Sequence, residues 1–400
     1  MRISVFLPVL LLTAAVQAGV TYPLPKLPPD MKRVEGQFHL LIHDLSDLEG
    51  AEVITRMEAM VREYQKRTRD FAGRIQGKMP FILFRNENDY HAAGGMEGTA
   101  GVFNGEQLMA VAGRGLTAGT WRTIQHEGFH QFASNVIGGE LPTWVNEGLA
   151  EYFGEGVYTG DGFVTGGIPA FRLKRVQESI ADKQFKSIDG MMRLSHEKWN
   201  AEMKSENYDQ AWAMVQFLAH ADDGKYQKAF STFMISLSRR QPWARAWDEA
   251  FGSAEGFEQR WNKWWNEQQG NCTPDVYAEA ATRMLANYAA RSISQKQAVS
   301  DVDALLKTID DGTIKSAPGD VLPPGLAKDC VSLTAAVRKI GGSFALEFAA
   351  KGATTVPLAV TCTMPDGKII RATTPTRGPR AVVPVVTTKV PKQATTRKSG

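Results

Sequence analysis

His126-Glu127-Gly128-Phe129-His130 sets two imidazoles four residues apart with a carboxylate beside the first. On a helix, residues four apart share one face and the intervening glutamate lies about 100° round the axis, so both imidazoles can chelate one ion. Imidazole suits zinc, which polarises a water in its open fourth position, and Glu127 is placed to take that water's proton. Downstream, the stretch Leu141-Pro142-Thr143-Trp144-Val145-Asn146-Glu147-Gly148-Leu149-Ala150-Glu151-Tyr152-Phe153 carries Glu147, with sixteen residues between it and His130, and Glu151, again four apart. Glu147 completes a ligand set with His126 and His130. Glu151, one turn further, accepts a hydrogen bond from a liganding imidazole and fixes its tautomer. Taken alone, the two glutamates would read as solvated acids on an exposed helix face.

These side chains need two helices in register. The spacing predicts helices over about Gly119–Val136 and Thr143–Gly154, the second opened by Pro142. Upstream, Phe38, Leu40 and Ile42 alternate as in a strand, Ala51–Thr68 has helical periodicity, and Phe81–Phe84 is a second strand. Val102-Phe103 and Leu108–Ala112, joined through Asn104-Gly105, read as a hairpin. Further helices are expected over Pro169–Ala181, Tyr208–Ala221, Tyr226–Ser238 and Ala254–Glu267; Trp261, Trp264 and Trp265 on the last read as packing. Strands first and helices after make the fold class α+β. Asn271–Gly312 is a polar helical stretch. Short strands are expected over Ser343–Phe348, Leu358–Thr363 and Lys368–Thr373, the last two joined by the turn Pro365-Asp366-Gly367.

Together the two strings resemble the gluzincin metallopeptidases, the clan of thermolysin and aminopeptidase N, and within it the peptidase-MA-like domains of secreted bacterial proteins. Trp144-x-Asn146-Glu147-Gly148-x-Ala150-Glu151-Tyr152 is close to aminopeptidase N, although the interval from His130 to Glu147 is two residues shorter. The resemblance covers about Gly36–Gln268 and implies a zincin-like domain with zinc held by His126, His130 and Glu147, Glu127 as general base, and Glu151 behind the ligands. Tyr208-Asp209-Gln210-Ala211-Trp212-Ala213 is similar to the segment that carries the transition-state tyrosine of these enzymes. It implies that the Tyr208 phenol donates a hydrogen bond to the oxyanion; the other reading is a tyrosine capping a buried helix. Gly94-Gly95-Met96-Glu97-Gly98 is similar to the substrate-amine motif, but Gly98 replaces its asparagine and the stretch reads as a glycine loop. His39 and His43, four apart on a strand, read as ordinary core or surface positions. His91, His196 and His220 have no partner spacing.

The 400 residues are 43% hydrophobic and 22% charged, which excludes wholesale disorder and a collagen-like fibre. Eight Lys or Arg and no acid lie between Gly367 and Gly400, so the net +3 without those eight charges is −5. A mildly acidic body argues against nucleic-acid binding. Met1-Arg2, the apolar run Ile3–Val16 and Val16-Gln17-Ala18 read as a cleaved signal, too short to span a bilayer. The expected organisation is a signal peptide (1–18), a Pro-rich linker (19–35), the metallopeptidase domain (36–268), a helical connector (269–322), a small β-rich domain (323–375) and a basic disordered tail (376–400). Cys330 and Cys362 are the expected disulfide pair, leaving Cys272 free. Pocket shape is expected to depend on a mobile loop over 154–167. The expected function is a secreted or periplasmic zinc-dependent metallohydrolase, a peptidase with a peptide or protein substrate and no stable membrane insertion. The alternative is an inactive zinc-containing module that binds a peptide or wall polymer.

Overall fold

Met79-Pro80-Phe81-Ile82-Leu83-Phe84 is apolar at every position because both faces of this strand are covered. It is the third strand of a sheet built from β1 (Lys32–Glu35), β2 (His39–His43), β3 (Met79–Phe84), β4 (Gly101–Phe103) and β5 (Leu108–Val111), in the order β1-β2-β3-β5-β4. β2, β3 and β5 are parallel, and the two edges, β1 and β4, are antiparallel to their neighbours. α1 (Asp47–Thr68) lies between β2 and β3, and α2 (Glu87–Ala92) follows β3. This computed structural model describes residues 24–138, 140–202, 204–297, 299–317, 320–347, 358–374 and 385–390.

One sheet face packs Leu41, Phe81, Leu83 and Leu108 against Val53 and Met57 of α1 and Trp121 and Ile124 of α3 (Ala118–Val136). The opposite face packs Ile42, Ile82 and Met109 against Tyr90 of α2 and, from the chain start, Leu24, Leu27 and Met31. The segment expected as a linker over 19–35 is therefore, from Leu24, a cover for the sheet and then its edge strand β1, because its leucines alternate with prolines that need no ladder hydrogen bond. α1 begins four residues before its apolar periodicity, at a capping box in which Ser46 and Glu49 exchange hydrogen bonds with each other's backbone N–H. The β4–β5 connection is a four-residue loop, with Asn104 Oδ1 accepting from the N–H groups of Glu106 and Gln107 and Gly105 at φ +96°.

After α3 come α4 (Thr143–Gly154), the hairpin β6 (Val157–Tyr158) and β7 (Phe163–Val164), and the helices α5 (Ala170–Ala181), α6 (Ile188–Met192), α7 (His196–Glu202), α8 (Ser205–Gly224), α9 (Gln227–Ser238), α10 (Trp243–Phe251) and α11 (Ala254–Glu267). The chain continues through α12 (Pro274–Ser294), α13 (Val302–Asp310) and α14 (Pro324–Lys339) into an antiparallel sheet of β8 (Ser343–Glu347), β9 (Leu358–Thr363), β10 (Ile369–Thr374) and β11 (Val385–Lys389), ordered β11-β10-β9-β8. The architecture is α+β.

Several expectations need correction. Met284, Leu285 and Tyr288 of α12 and Leu305 of α13 join the same core as Phe129, Trp144 and Phe153, so 269–322 is part of the body rather than a connector. Part of 323–375 is α14, since Pro324 at the first helical position starts a helix that the paired prolines concealed. Within the expected tail, Val385–Lys389 pairs with β10, offering β-branched residues to an open ladder. Cys272, Cys330 and Cys362 are free thiols: Cys330 sits in the main core, and Cys362 packs with Ala278, Val337 and Ile370. The 154–167 segment is the β6–β7 hairpin, buried at Tyr158, Thr159 and Phe163. Arg283 and Asn287 of α12 donate to Asp161 at 2.6 and 2.8 Å, so its glycines serve a tight turn and not a mobile cover. Signal residues 1–18 lie outside the described residues.

Candidate metal centre

Thr117 caps α3 by accepting from the Thr120 N–H, and the helix then runs 19 residues through His126 and His130. α4 starts behind Pro142 and lies along α3, with Trp144, Val145, Leu149 and Phe153 buried. Gln125, beside His126, holds the two helices in register. Its side-chain N–H groups donate to the carbonyls of Phe153 and Gly154, both at 3.1 Å, and of Gly156 at 3.2 Å, at and just beyond the C-terminal end of α4. Its own backbone carbonyl accepts from the Tyr64 hydroxyl of α1 at 2.5 Å. On its far side α4 meets α8 at Gly148, where a Cβ would stand 2.5 Å from the Ala211 carbonyl oxygen.

The result is a convergence of three donor atoms. Nε2 of His126 lies 3.1 Å from Nε2 of His130 and 3.4 Å from Oε2 of Glu147, and His130 Nε2 lies 3.6 Å from that oxygen. Tetrahedral ligands about 2.0–2.1 Å from one ion stand roughly 3.4 Å apart, so the spacing fits a zinc-sized cation. This is the one group of three potential ligands among the described residues, with donor atoms within 4.8 Å of one another. Behind it, Nδ1 of His126 faces Oε1 of Glu151 at 3.1 Å, which commits Nε2 to the cluster. His130 Nδ1 is buried with no hydrogen-bond partner among the described residues.

The imidazoles and carboxylates of the cluster are electrostatically paired with one another. Burial works against a charged His126, but Glu147, Glu151 and Glu127 outweigh it and hold its pKa well above the ordinary value. His130 is raised on the same balance. Burial raises Glu147 and Glu151, yet the facing imidazoles, joined by Arg172 for Glu151, pull both carboxyls down, Glu151 to about 2.

Glu127 is oriented by the sheet edge: the Phe103 N–H of β4 donates to its Oε2 at 2.8 Å. The Tyr208 ring of α8 lies 6.4 Å from the His126 ring and edge-on to buried Trp199 at 4.9 Å, and burial raises its phenol. All six sequence-derived residues, His126, Glu127, His130, Glu147, Glu151 and Tyr208, therefore lie around one point. Glu97 does not join them by any contact; it is exposed in the loop before β4. His196 is exposed at the start of α7, bonds Asn200, and lines a separate surface cavity of about 780 Å³ that contains none of the cluster. His39 and His43 are buried on β2 against α1, His39 3.4 Å from Glu58 and His43 beneath Gly50. His220 packs on Tyr152, its Nε2 2.9 Å from the hydroxyl.

Two participants escaped the sequence reading. Phe103 acts through its backbone N–H, which no side-chain pattern announces. Arg172 of α5 is 2% exposed and pairs with Glu151, with Glu155 at 2.8 Å and with Asp209 at 3.3 Å. Arg172 shares its amphipathic helix with Lys174 and Arg175 and reads with them as a solvated charge, so the available signal was its place beside Leu173 and Val176.

Residues 120–244 match a family described as "Protein of unknown function (DUF1570)". The matched stretch runs from the first turn of α3 into α10 and contains the whole cluster, Arg172 and Tyr208 included. No curated protein matches the chain.

Proposed function

We propose that this chain is a zinc-dependent peptidase of the gluzincin type, with a zincin-like fold, working outside the cytoplasm as its N-terminal apolar run suggests. The observation that carries the reading is the convergence of His126, His130 and Glu147 within zinc-ligand spacing, with Glu127 and Tyr208 beside them. A zinc ion held there would supply Lewis-acid polarisation and a water of lowered pKa. Glu127 accepts the proton of the attacking water at the carboxylate oxygen not engaged by Phe103, and returns it to the leaving amine. Tyr208 donates a hydrogen bond from its phenol to the oxyanion and keeps its proton, since burial raises a pKa that already lies well above neutral. Glu151 keeps the His126 Nε2 lone pair on the metal side.

The substrate class is argued from the sheet. β4 is an edge strand whose paired positions with β5 fall at Ala100, Val102 and Asn104, so backbone groups of Gly101 and Phe103 point away from the sheet. With the Phe103 N–H held by Glu127, an extended peptide can add to that side through the Gly101 N–H and C=O and the Phe103 C=O, which brings a scissile amide past Glu127. Among the described residues no helix is long and apolar enough to cross a membrane.

The test is elemental analysis of the purified chain and of His126→Ala, with a peptide-library digest read by mass spectrometry. One zinc per chain, lost in the variant, together with cleavage products is the expected result. Zinc without products would favour the inactive binding module, and absence of stoichiometric zinc would overturn the site.

A further inference from the structure

Arg172 adjoins three carboxylates, and two of them carry a second arginine: Arg122 lies 3.2 Å from Glu155 and Arg175 donates to Asp209 at 2.5 Å, so Glu151 is the one that Arg172 alone ties. From α5 it donates to Oε2 of Glu151 and, through Nη1, to Glu155 at the C-terminal cap of α4, while its Nε lies 3.3 Å from Asp209 on α8. Its guanidinium also stacks on Trp212, 4.5 Å from the ring centre. Placing a guanidinium among three carboxylates, with its side chain 3% exposed, desolvates four charged groups, and such burial is weak evidence for a purely stabilising role. What the arrangement achieves is direction. A carboxylate that faces an imidazole with one oxygen can rotate about its last torsion; with the other oxygen tied to a fixed fork on a neighbouring helix, it cannot. Asp209 directly follows Tyr208, so the same guanidinium adjoins the turn that carries the phenol.

We propose that Arg172 is a positioning residue of the metal centre: by holding Glu151 it fixes the ring of His126 and thereby sets the affinity of the His126, His130 and Glu147 site for zinc. The proposal rests on the reading that these three residues hold zinc, and its test separates the two. Zinc dissociation constants are measured by chelator competition on the full chain for wild type, R172M, R172K, E151Q and the double variants of E151Q with each arginine change, with near-ultraviolet circular dichroism reporting folding. R172M is expected to bind zinc about 10- to 100-fold more weakly, as loss of a partner behind a metal ligand does. R172K is expected to fall between, because an ammonium can satisfy one carboxylate but lacks the planar fork. Acting through Glu151, Arg172 loses its influence once that residue is neutral, so each double variant should bind like E151Q alone. Should R172M fail to fold, R172K and its double variant complete the same cycle. Folded arginine variants with wild-type affinity, or losses that multiply in the double variants, would overturn the positioning role alone. A wild-type chain that binds no zinc overturns the function proposed above and this inference with it.

Discussion

Glu127 is held by a backbone N–H and not by another side chain, so an amide can take its place in the same hydrogen bond. Glu127→Gln is therefore expected to keep one zinc per chain while turnover falls by about 10² to 10⁴, the range for loss of a general base; elemental analysis and a peptide assay on one preparation check both. Tyr208→Phe keeps the edge-on contact with Trp199 and removes only the donor. It should lower kcat by roughly 10² to 10³ with KM little changed, and a kcat effect below about threefold would return Tyr208 to a packing role. His220 offers a prediction away from the metal. Burial, reinforced by Arg67, lowers its pKa to about 4, whereas the unfolded chain takes up that proton near pH 6.5. Stability of the metal-free chain must then fall as pH drops from 6.5 to 4 and level off below, this group contributing at most about 1.4 kcal/mol per pH unit. Urea unfolding at pH 7, 5.5 and 4.5 should show a steeper fall in the wild type than in His220→Gln, which keeps only what other groups such as buried His43 contribute. The convergence of His126, His130 and Glu147 was legible in the sequence because two four-residue spacings are local facts. Arg172 and Phe103 were not, since each acquires its partner only when helices 20 or more residues apart, or a strand edge, come together.

Helix α4 carries Glu147 and Glu151 on one side and a bare backbone at Gly148 on another. Gly148→Ala would drive a methyl to 2.5 Å from the Ala211 carbonyl oxygen, which cannot retreat without moving α8. Gly128→Ala meets the flexible end of Met57, 2.7 Å away, and a Tyr64 hydroxyl at 3.2 Å. The first substitution is expected to cost about 1–3 kcal/mol and to weaken zinc binding; the second should be milder, partly offset by alanine's helix preference. Thermal unfolding of both variants with and without zinc decides the ranking. At this scale the longer helices were legible, since α3, α4 and α11 span enough turns for apolar periodicity to register. α2, α6 and α7 have seven residues or fewer, and nine-residue α10 sits between a proline and a glycine that read as loop. The β6–β7 hairpin was misread for a related reason: its strands are two residues each, and burial by α12 replaces the alternation that longer strands show.

For the molecule as a whole, the last third is structural support for the centre and not a separable appendage. α12 seals the β6–β7 hairpin with Arg283 and Asn287, while Arg291 grips Asp320 with hydrogen bonds of 2.6 and 2.8 Å. A chain ending at residue 268 would leave Asp161, whose side chain is fully buried, without its cation and would expose the core faces that meet Met284, Leu285 and Tyr288. Such a fragment is expected to lack a cooperative unfolding transition and to be digested readily in limited proteolysis; a stable, zinc-binding fragment would contradict this account. The boundary at 268 looked reasonable in sequence because composition turns polar there, but polarity along a chain says nothing about contacts made back across more than a hundred residues. Asp161 meets those partners 122 and 126 positions downstream. During synthesis, the side chains that could grip a metal are all made long before α12, so the β6–β7 hairpin and the core beside them gain their last cover only when nearly three-quarters of the chain has been assembled.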